Sequence, residues 1–358
     1  MKDVLKRYAK RYFIDAMGAM ALGLFASLLI GTIFSALGMI PGLSILTTIG
    51  KGAQSVAGPA MAVAIAVALK ASPLVVYSCA AVGALANSNG GAGGPLAVLI
   101  IAIIAAEVGM LVSKKTKIDI LVTPFVTLLV GGLLSVWFAP YIGQAVGVVS
   151  DIIAFAMTQQ PLIMGVLVSV VVGIALTLPI SSAAICAALG LSGLSAAALA
   201  DPSLAPGLAM AGGAAVAGCC AQMVGFAVMS FKENKWGGLV SQGIGTSMLQ
   251  MPNIIHNPRI WIPTILTSAI TGPLATCVFG MQMYGAAINS GMGTCGLLGP
   301  IGIILGWFDP AYPVAVGAKD WIGLALICFV LPATLTLLFS EILYKIKWIK
   351  PGDLTLPE

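Results

Sequence analysis

The chain is predicted to be an all-α polytopic membrane protein, with about 10 transmembrane helices and two re-entrant or broken-helix elements. Three observations carry that prediction. Of 358 residues, 59% are hydrophobic and 8% are charged, against roughly 25% charged in a soluble domain. Apolar runs long enough to cross a hydrocarbon core of ~30 Å as helix recur from end to end. The 43 glycines, with abundant Ala and Ser, suit helices that pack through small residues. No polar stretch is long enough for a separate soluble domain, so 16–345 reads as one integral membrane domain or two intertwined halves.

The N-terminal "MKDVLKRYAKRYFIDAM" puts Val4, Leu5, Tyr8 and Tyr12 near one helical face and its basic residues largely on the others. Residues 1–15 are therefore expected to form an amphipathic helix on the cytoplasmic surface of the bilayer. The apolar run that follows is longer than the h-region of a signal peptide and lacks a convincing polar cleavage region, so it is read as retained. Crossings then fit 16–38, 53–70, 72–86, 95–113, 119–139, 145–158, 162–189, 205–230, 260–281 and 320–343. Two of these, 72–86 and 145–158, are short, and Asp151 falls in the second; either is open to a re-entrant or interfacial reading. With a cytoplasmic N-terminus, 15 of the 17 Lys and Arg residues lie inside and only Lys51 and Lys319 lie outside. That asymmetry follows the positive-inside rule and puts both termini, with a tail over 346–358, in the cytoplasm. The net charge of +5 is thus a signature of topology and not of nucleic-acid binding. The seven cysteines show neither metal spacing nor a disulfide framework, and the adjacent Cys219 and Cys220 are expected to act as small packing residues.

The polar exceptions point to function. "ANSNGGAGGPLAVLII" places Asn87, Ser88 and Asn89 before glycines and Pro95, and "INSGMGTCGLLGPIGII" repeats the pattern about 200 residues later with Asn289, Ser290 and Pro300. The repeat elements fall near 86–112 and 288–308 and suggest two pseudo-symmetric halves. Paired Gly- and Pro-interrupted apolar segments mark the binding site of many transporters, because a broken helix exposes backbone groups at membrane depth. A pair of flexible loops is the competing reading. In "LTLPISSAAI", Thr177, Ser181 and Ser182 surround Pro179, which breaks the helical ladder; these hydroxyls either satisfy freed carbonyls or face a ligand. Gln222 is a further polar residue within an apolar run. "SQGIGTSMLQMPNIIHNP" gathers Gln250, Asn253, His256 and Asn257 in a segment too polar for a lipid-facing helix. It is either a surface loop or a piece that re-enters the protein.

Glu107 lies inside an apolar span, where acids are functional by default, although Lys114 and Lys115 are about two turns away. Glu107 and His256 are the candidates for coupling transport to an ion or proton. His256 is the only histidine, which excludes a multi-histidine metal centre. No GxSxG, HExxH, P-loop or dinucleotide motif accompanies it, so no catalytic residues, metal or cofactor are expected.

Taken together, the basic start, "NSNGGAGGP", "TLPISSAAI", "MVGFAVMSFKENKWGGLVSQGIGTSMLQMPNIIHNP" and "INSGMGTCGLLGPIG" resemble the enzyme-IIC-like membrane family of the bacterial phosphotransferase system. Within it they are similar to the perfringolysin-regulator-like branch. The resemblance implies a homodimeric permease of the bacterial cytoplasmic membrane whose substrate site is surrounded by re-entrant hairpins. It also implies IIA and IIB partners for phosphorylation. No such soluble module lies within these 358 residues, so that coupling is expected only with separate partner chains. The short Glu-containing substrate motif of glucose-type members has no clear copy here. The resulting expectation is a transporter for a small polar solute, a sugar or related polyol, by alternating access and without an attached phosphorylating module. A membrane-embedded sensor of a ligand or lipid is the alternative.

Overall fold

The computed structural model describes residues 8, 10–38, 42–310, 312–313 and 315–356. Most of the amphipathic N-terminal segment, 1–7 and Ala9, lies outside the described residues. All regular structure among those described is helical. Among the described residues six stretches are long and apolar enough to cross a membrane: Lys10–Ser35, Gly91–Val112, Asp119–Met157, Pro202–Met229, Pro258–Phe279 and Ala318–Lys345. Ala57–Ala68, Pro161–Thr177 and Cys295–Trp307 are shorter apolar helices. The chain divides into two compact units, Met1–Val146 and Gly147–Leu356, with the division inside helix Ala139–Met157.

The first unit is built on close backbone approach. Helix Pro73–Asn89 lies against Ala57–Ala68, and a Cβ on either Gly58 or Gly83 would run into the other glycine's carbonyl. Small residues let the two backbones touch, which maximises dispersion contact where lipid offers no hydrophobic drive between helices. Helix Asp119–Trp137 shows the inverted pattern of a membrane surface. Thr123, Thr127, Gly131 and Ser135 recur every four residues on its buried face, while Ile120, Leu121, Phe125 and Trp137 are exposed. The i, i+4 spacing makes a single stripe. Thr127 and Ser135 donate to the carbonyls four residues back, at 2.8 and 2.7 Å, so their hydroxyls are satisfied within their own helix.

In the second unit, the 25-residue helix Ala205–Met229 is enclosed on nearly all sides, and we refer to it as the central helix. Pro161–Thr177, Ile262–Pro273 and Leu331–Lys345 pack around it. Its stretch from Ala211 to Cys220 contains only Gly, Ala, Val and Cys. A Cβ on Gly218 would strike the Ser169 backbone of the neighbouring helix. Cys219 and Cys220 are free thiols buried in this packing.

The apolar run over 162–189 is not one helix. It stops at Thr177, passes Leu178, Pro179 and Ile180 without helical structure, and resumes as Ser182–Ala188. Proline removes a donor and clashes with the carbonyl four residues back, which ends the first piece. Ser181 then caps the second by accepting from Ala184 N–H at 3.2 Å. The region between Met229 and Pro258 folds as a chain of short helical turns, from Phe231–Val240 to Met251–His256. Residues 45–55 form a separate helix, Ile45–Ser55, ahead of Ala57–Ala68.

Replacing Gly83 by Leu should lower thermal stability in detergent by about 1–3 kcal/mol equivalent, the usual range for overpacking. Gly52→Leu, at a site where an added Cβ meets nothing within 4 Å, should leave the melting temperature unchanged.

Candidate functional site

The second unit brings two broken segments together beside the central helix. One runs from Thr177 through the short helix Ser182–Ala188 to the turn at Ser192. The other leaves helical structure after Phe279, continues through short 3-10 turns at Ala287–Gly291 and Cys295–Leu297, and enters helix Leu298–Trp307. Three serines pin them to each other. Ser182 donates to the Gly291 carbonyl, Ser290 to the Leu191 carbonyl and Ser192 to the Gly285 carbonyl, each at 2.7 Å. Gly193 N–H adds a bond to the Met283 carbonyl at 2.9 Å, and Met283 N–H reaches the Ala209 carbonyl of the central helix at 2.8 Å. Carbonyls that helix formation would have used are thus satisfied by side chains and by crossing backbone.

The crossing requires absent side chains. At Gly291 a Cβ would meet the Ser182 backbone, and at Gly293 it would meet Cys219 and Cys220 of the central helix. Gly293 also sits at φ 51°, in the left-handed region that favours glycine.

Two buried polar groups at this crossing keep unused hydrogen-bonding capacity. Asn289 is 9% exposed and packs its amide against Gly302; among the described residues its side chain has no hydrogen-bond partner. Thr294 is 1% exposed and its hydroxyl is likewise without a partner. Gln282 Oε1, in the same broken segment, is likewise buried and unpartnered. An unpaired buried polar group costs about 1–3 kcal/mol, so these two atoms are informative: among the described residues, Thr294 carries the one buried hydroxyl without a partner. Ser181 has its oxygen engaged at the helix cap but retains its proton for donation.

Other predicted residues are held elsewhere. Thr177 and Gln222 belong to a buried network that ties helices together. The carboxamide oxygen of Gln222, 0% exposed, accepts from Trp261 Nε1 and Thr264 Oγ1 at 2.9 Å each, with a longer 3.4 Å contact from Thr177. Its nitrogen reaches Ser268 Oγ at 3.4 Å, and Thr177 pairs with Ser247 at 2.8 Å.

Gln250, Asn253 and Asn257 hold the C-terminal tail. Gln250 donates to the Leu354 carbonyl and Asn253 to the Thr355 carbonyl, both at 2.9 Å, while Asn257 reaches the Trp348 carbonyl at 3.0 Å and Asp353 at 2.8 Å. Glu233 completes the clamp, accepting from Gly352 N–H and Leu354 N–H at 3.0 Å and from Thr355 Oγ1 at 2.9 Å. The tail is therefore a docked strap that buries Ile349 and Leu354. His256 is exposed at the end of its short helix.

The first unit carries the earlier copy of the repeated pattern. Helix Pro73–Asn89 runs through Asn87, Ser88 and Asn89, turns at Gly91–Gly93, and gives way to helix Gly94–Val112, with Pro95 in its first turn. Gly91 has φ 52°, four residues after Asn87, as Gly293 has φ 51° four residues after Asn289. Both asparagines pack against a glycine of the following helix, Gly94 and Gly302 respectively. The copies differ in that Asn87 ends an intact helix, whereas Asn289 lies in a broken one. Asn87 is half-buried; Ser88 and Asn89 are exposed, and Asn89 donates to the Ser135 carbonyl at 3.1 Å.

Glu107 is ion-paired in this unit. Arg11 Nη2 lies 2.7 Å from its Oε1, Tyr12 donates to the same oxygen at 3.0 Å, and Arg11 also reaches the Leu69 carbonyl at 3.1 Å. Both ionic side chains are about one-third exposed, at 36% and 33%, so solvent screening keeps this pair modest.

Sequence reasoning missed Thr294 and Gln282. Thr294 stands inside the repeated "INSGMGTCGLLGP" segment, so its position was visible, but nothing in the sequence says which hydroxyls will be left unpaired.

These features define a multi-pass helical membrane protein whose helices are broken beside a buried central helix. Over residues 14–356 the chain matches the family model described as "Phosphotransferase system, EIIC". The chain belongs to that family. Comparison with curated proteins and with solved structures gave no match.

Two outcomes test this division of roles. Gln222→Ala should lower thermal stability by about 1–3 kcal/mol equivalent, because Trp261 and Thr264 lose their common acceptor; an unchanged melting curve would show that the network carries no stability. Glu233→Ala should free the tail, raising the rate of chymotryptic cleavage at Trp348 by roughly tenfold, as expected for loss of charge-assisted bonds.

Proposed function

We propose that the protein is a membrane permease for a sugar or related polyol, working by alternating access, with its substrate held at the crossing of the two broken segments. The observation that carries the reading is that the broken segment over 280–297 keeps polar groups unspent, Thr294 and Gln282 with buried unpaired atoms and Asn289 without a hydrogen-bond partner among the described residues. Neutral donors and acceptors suit a polyhydroxyl solute, since each hydroxyl both gives and takes a hydrogen bond. Family membership supports a permease function.

In this reading Ser182 and Ser290 set the shape of the site, while Asn289 and Ser181 contact substrate. Asn87, Ser88 and Asn89, at the corresponding tip of the first unit, are further candidates for substrate contact. Thr177 and Gln222 brace the helices, and Gln250, Asn253 and Asn257 act on the tail. The ten-crossing topology, two pseudo-symmetric halves, cytoplasmic termini and a homodimer in a bacterial cytoplasmic membrane belong to the same proposal. So does the organisation into an interfacial helix over 1–15, a transport domain over 16–345 and a tail over 346–358. Phosphorylation of the substrate would require separate IIA and IIB chains. Glu107, already paired with Arg11, and His256 remain the candidates for ion coupling.

The docked tail favours one second reading, a sensor that converts ligand occupancy into tail release. Sealed liposomes separate the two: a sensor binds its ligand without moving it across the bilayer.

The test is uptake of radiolabelled sugars into proteoliposomes, with separate variants Asn289→Ala, Thr294→Val and Asn87→Ala. Asn289→Ala and Thr294→Val should each reduce uptake by about tenfold, equivalent to about 1.4 kcal/mol of lost binding, while retaining the wild-type melting temperature. Full uptake in both would remove the crossing as the substrate site.

A further inference from the structure

Beyond the crossing, the second unit contains an aromatic cup that none of the sequence motifs marks. Its cavity is about 330 Å³, lined by Trp307, Phe308, Asp309, Tyr312 and Trp321 among others. That volume falls at the lower end of the range for small-molecule sites. Trp307 is almost wholly buried and forms the floor, while Phe308 and Trp321 are 75% and 47% exposed at the mouth.

The ring geometry fixes the cup. Trp307 and Trp321 meet edge to face at 4.8 Å between centroids, with their planes at 73°. Tyr312 meets Tyr284 in the same manner at 5.0 Å and 82°. Such pairs hold ring orientation beyond what burial alone achieves. Tyr284 is also the physical link to the crossing: its ring lies where a Cβ on Gly193 would stand, in the turn after Ser192. Tyr284 thus packs on the cup's Tyr312 on one side and on the turn of the crossing on the other.

The hydrogen-bonding groups decide the class of ligand. The Tyr312 phenol in the lining can both give and take a hydrogen bond. Burial, then the neighbouring Asp320 carboxylate, holds the Tyr312 phenol above its ordinary range, so it stays protonated at neutral pH. The Trp321 N–H has no hydrogen-bond partner among the described residues. Asp309 brings a carboxylate to the wall, and Asp320, next to the lining residue Trp321, accepts from Gly317 N–H at 2.8 Å. Ring faces combined with both donors and acceptors match a sugar, whose C–H face stacks on an aromatic ring while its hydroxyls bond around the edge. An organic ammonium ion would use the faces and carboxylates but has no acceptor for the two donors.

We propose that this aromatic cup is a second sugar subsite, connected to the crossing through the Tyr284 ring. The inference rests on the sugar-permease reading.

The experiment is isothermal titration of the full chain in nanodiscs with a panel of aldohexoses, N-acetylhexosamines, pentoses, hexitols and disaccharides, and separately with tetramethylammonium chloride. Trp321→Ala and Phe308→Ala are compared with wild type and with Trp236→Ala, which alters an exposed tryptophan outside the cup. Each cup variant should weaken sugar affinity by about tenfold, the loss expected for one stacking ring, while Trp236→Ala leaves it unchanged. Using two exposed positions guards against misfolding of either variant, and melting curves identify such a failure. Sugar binding that is unaffected in both cup variants overturns the subsite and leaves the permease reading standing. Binding of none of the sugars by wild type overturns both. Tetramethylammonium binding that is lost in the cup variants, with sugar binding intact, reassigns the cup to an organic cation and overturns the proposal.

Discussion

The structure of the second unit depends on how closely other backbones approach the central helix Ala205–Met229. Its glycines and alanines let Ser169 meet Gly218 and let the loop at Gly293 lie on Cys219 and Cys220. Lipid is as apolar as a leucine side chain, so helices in a bilayer gain little by hiding bulky apolar residues from it. They gain dispersion contact and interhelical hydrogen bonds instead, and both need short distances. A larger residue at Gly218 or Gly293 would separate these contacts together.

Close approach then makes broken helices tolerable. A chain that leaves helical geometry at membrane depth exposes carbonyls and N–H groups that hydrocarbon cannot satisfy. At the crossing, Ser182, Ser192 and Ser290 supply the missing donors, each to a carbonyl about 100 residues distant in sequence. The two segments therefore stabilise each other's irregular backbone. Within that framework Thr294 and Gln282 stand apart, since each keeps a buried polar atom that no partner consumes. The contrast between spent serines and unspent neighbours is what the proposed substrate site rests on.

The same distinction governs the charged and amide residues elsewhere. Glu107 has Arg11 and Tyr12 as partners, and Glu233 takes three donors from the tail. The amides of Gln250, Asn253 and Asn257 reach the tail in the same manner. A polar residue in an apolar chain thus has two outcomes, internal satisfaction or availability, and residue type alone does not choose between them.

Composition determined the helical membrane class, because an apolar chain with 8% charge can satisfy its backbone in lipid only as helix or closed barrel, and the long apolar runs select helix. The break at Pro179 was equally legible, since proline cannot continue the hydrogen-bond ladder wherever it stands. So was the repeated Asn-Ser-Gly pattern, whose left-handed glycines at 91 and 293 follow from local chemistry. Tertiary structure alone decided which polar side chains are used up. Gln222 and Asn289 are both amides in apolar surroundings, yet one is enclosed by Trp261 and Thr264 and the other faces Gly302. The aromatic cup was hidden for the same reason: Tyr284, Trp307, Tyr312 and Trp321 are scattered in sequence and become a site only when folding sets their rings edge to face. Hydrogen bonds and ring contacts between distant segments depend on distances that local sequence does not encode.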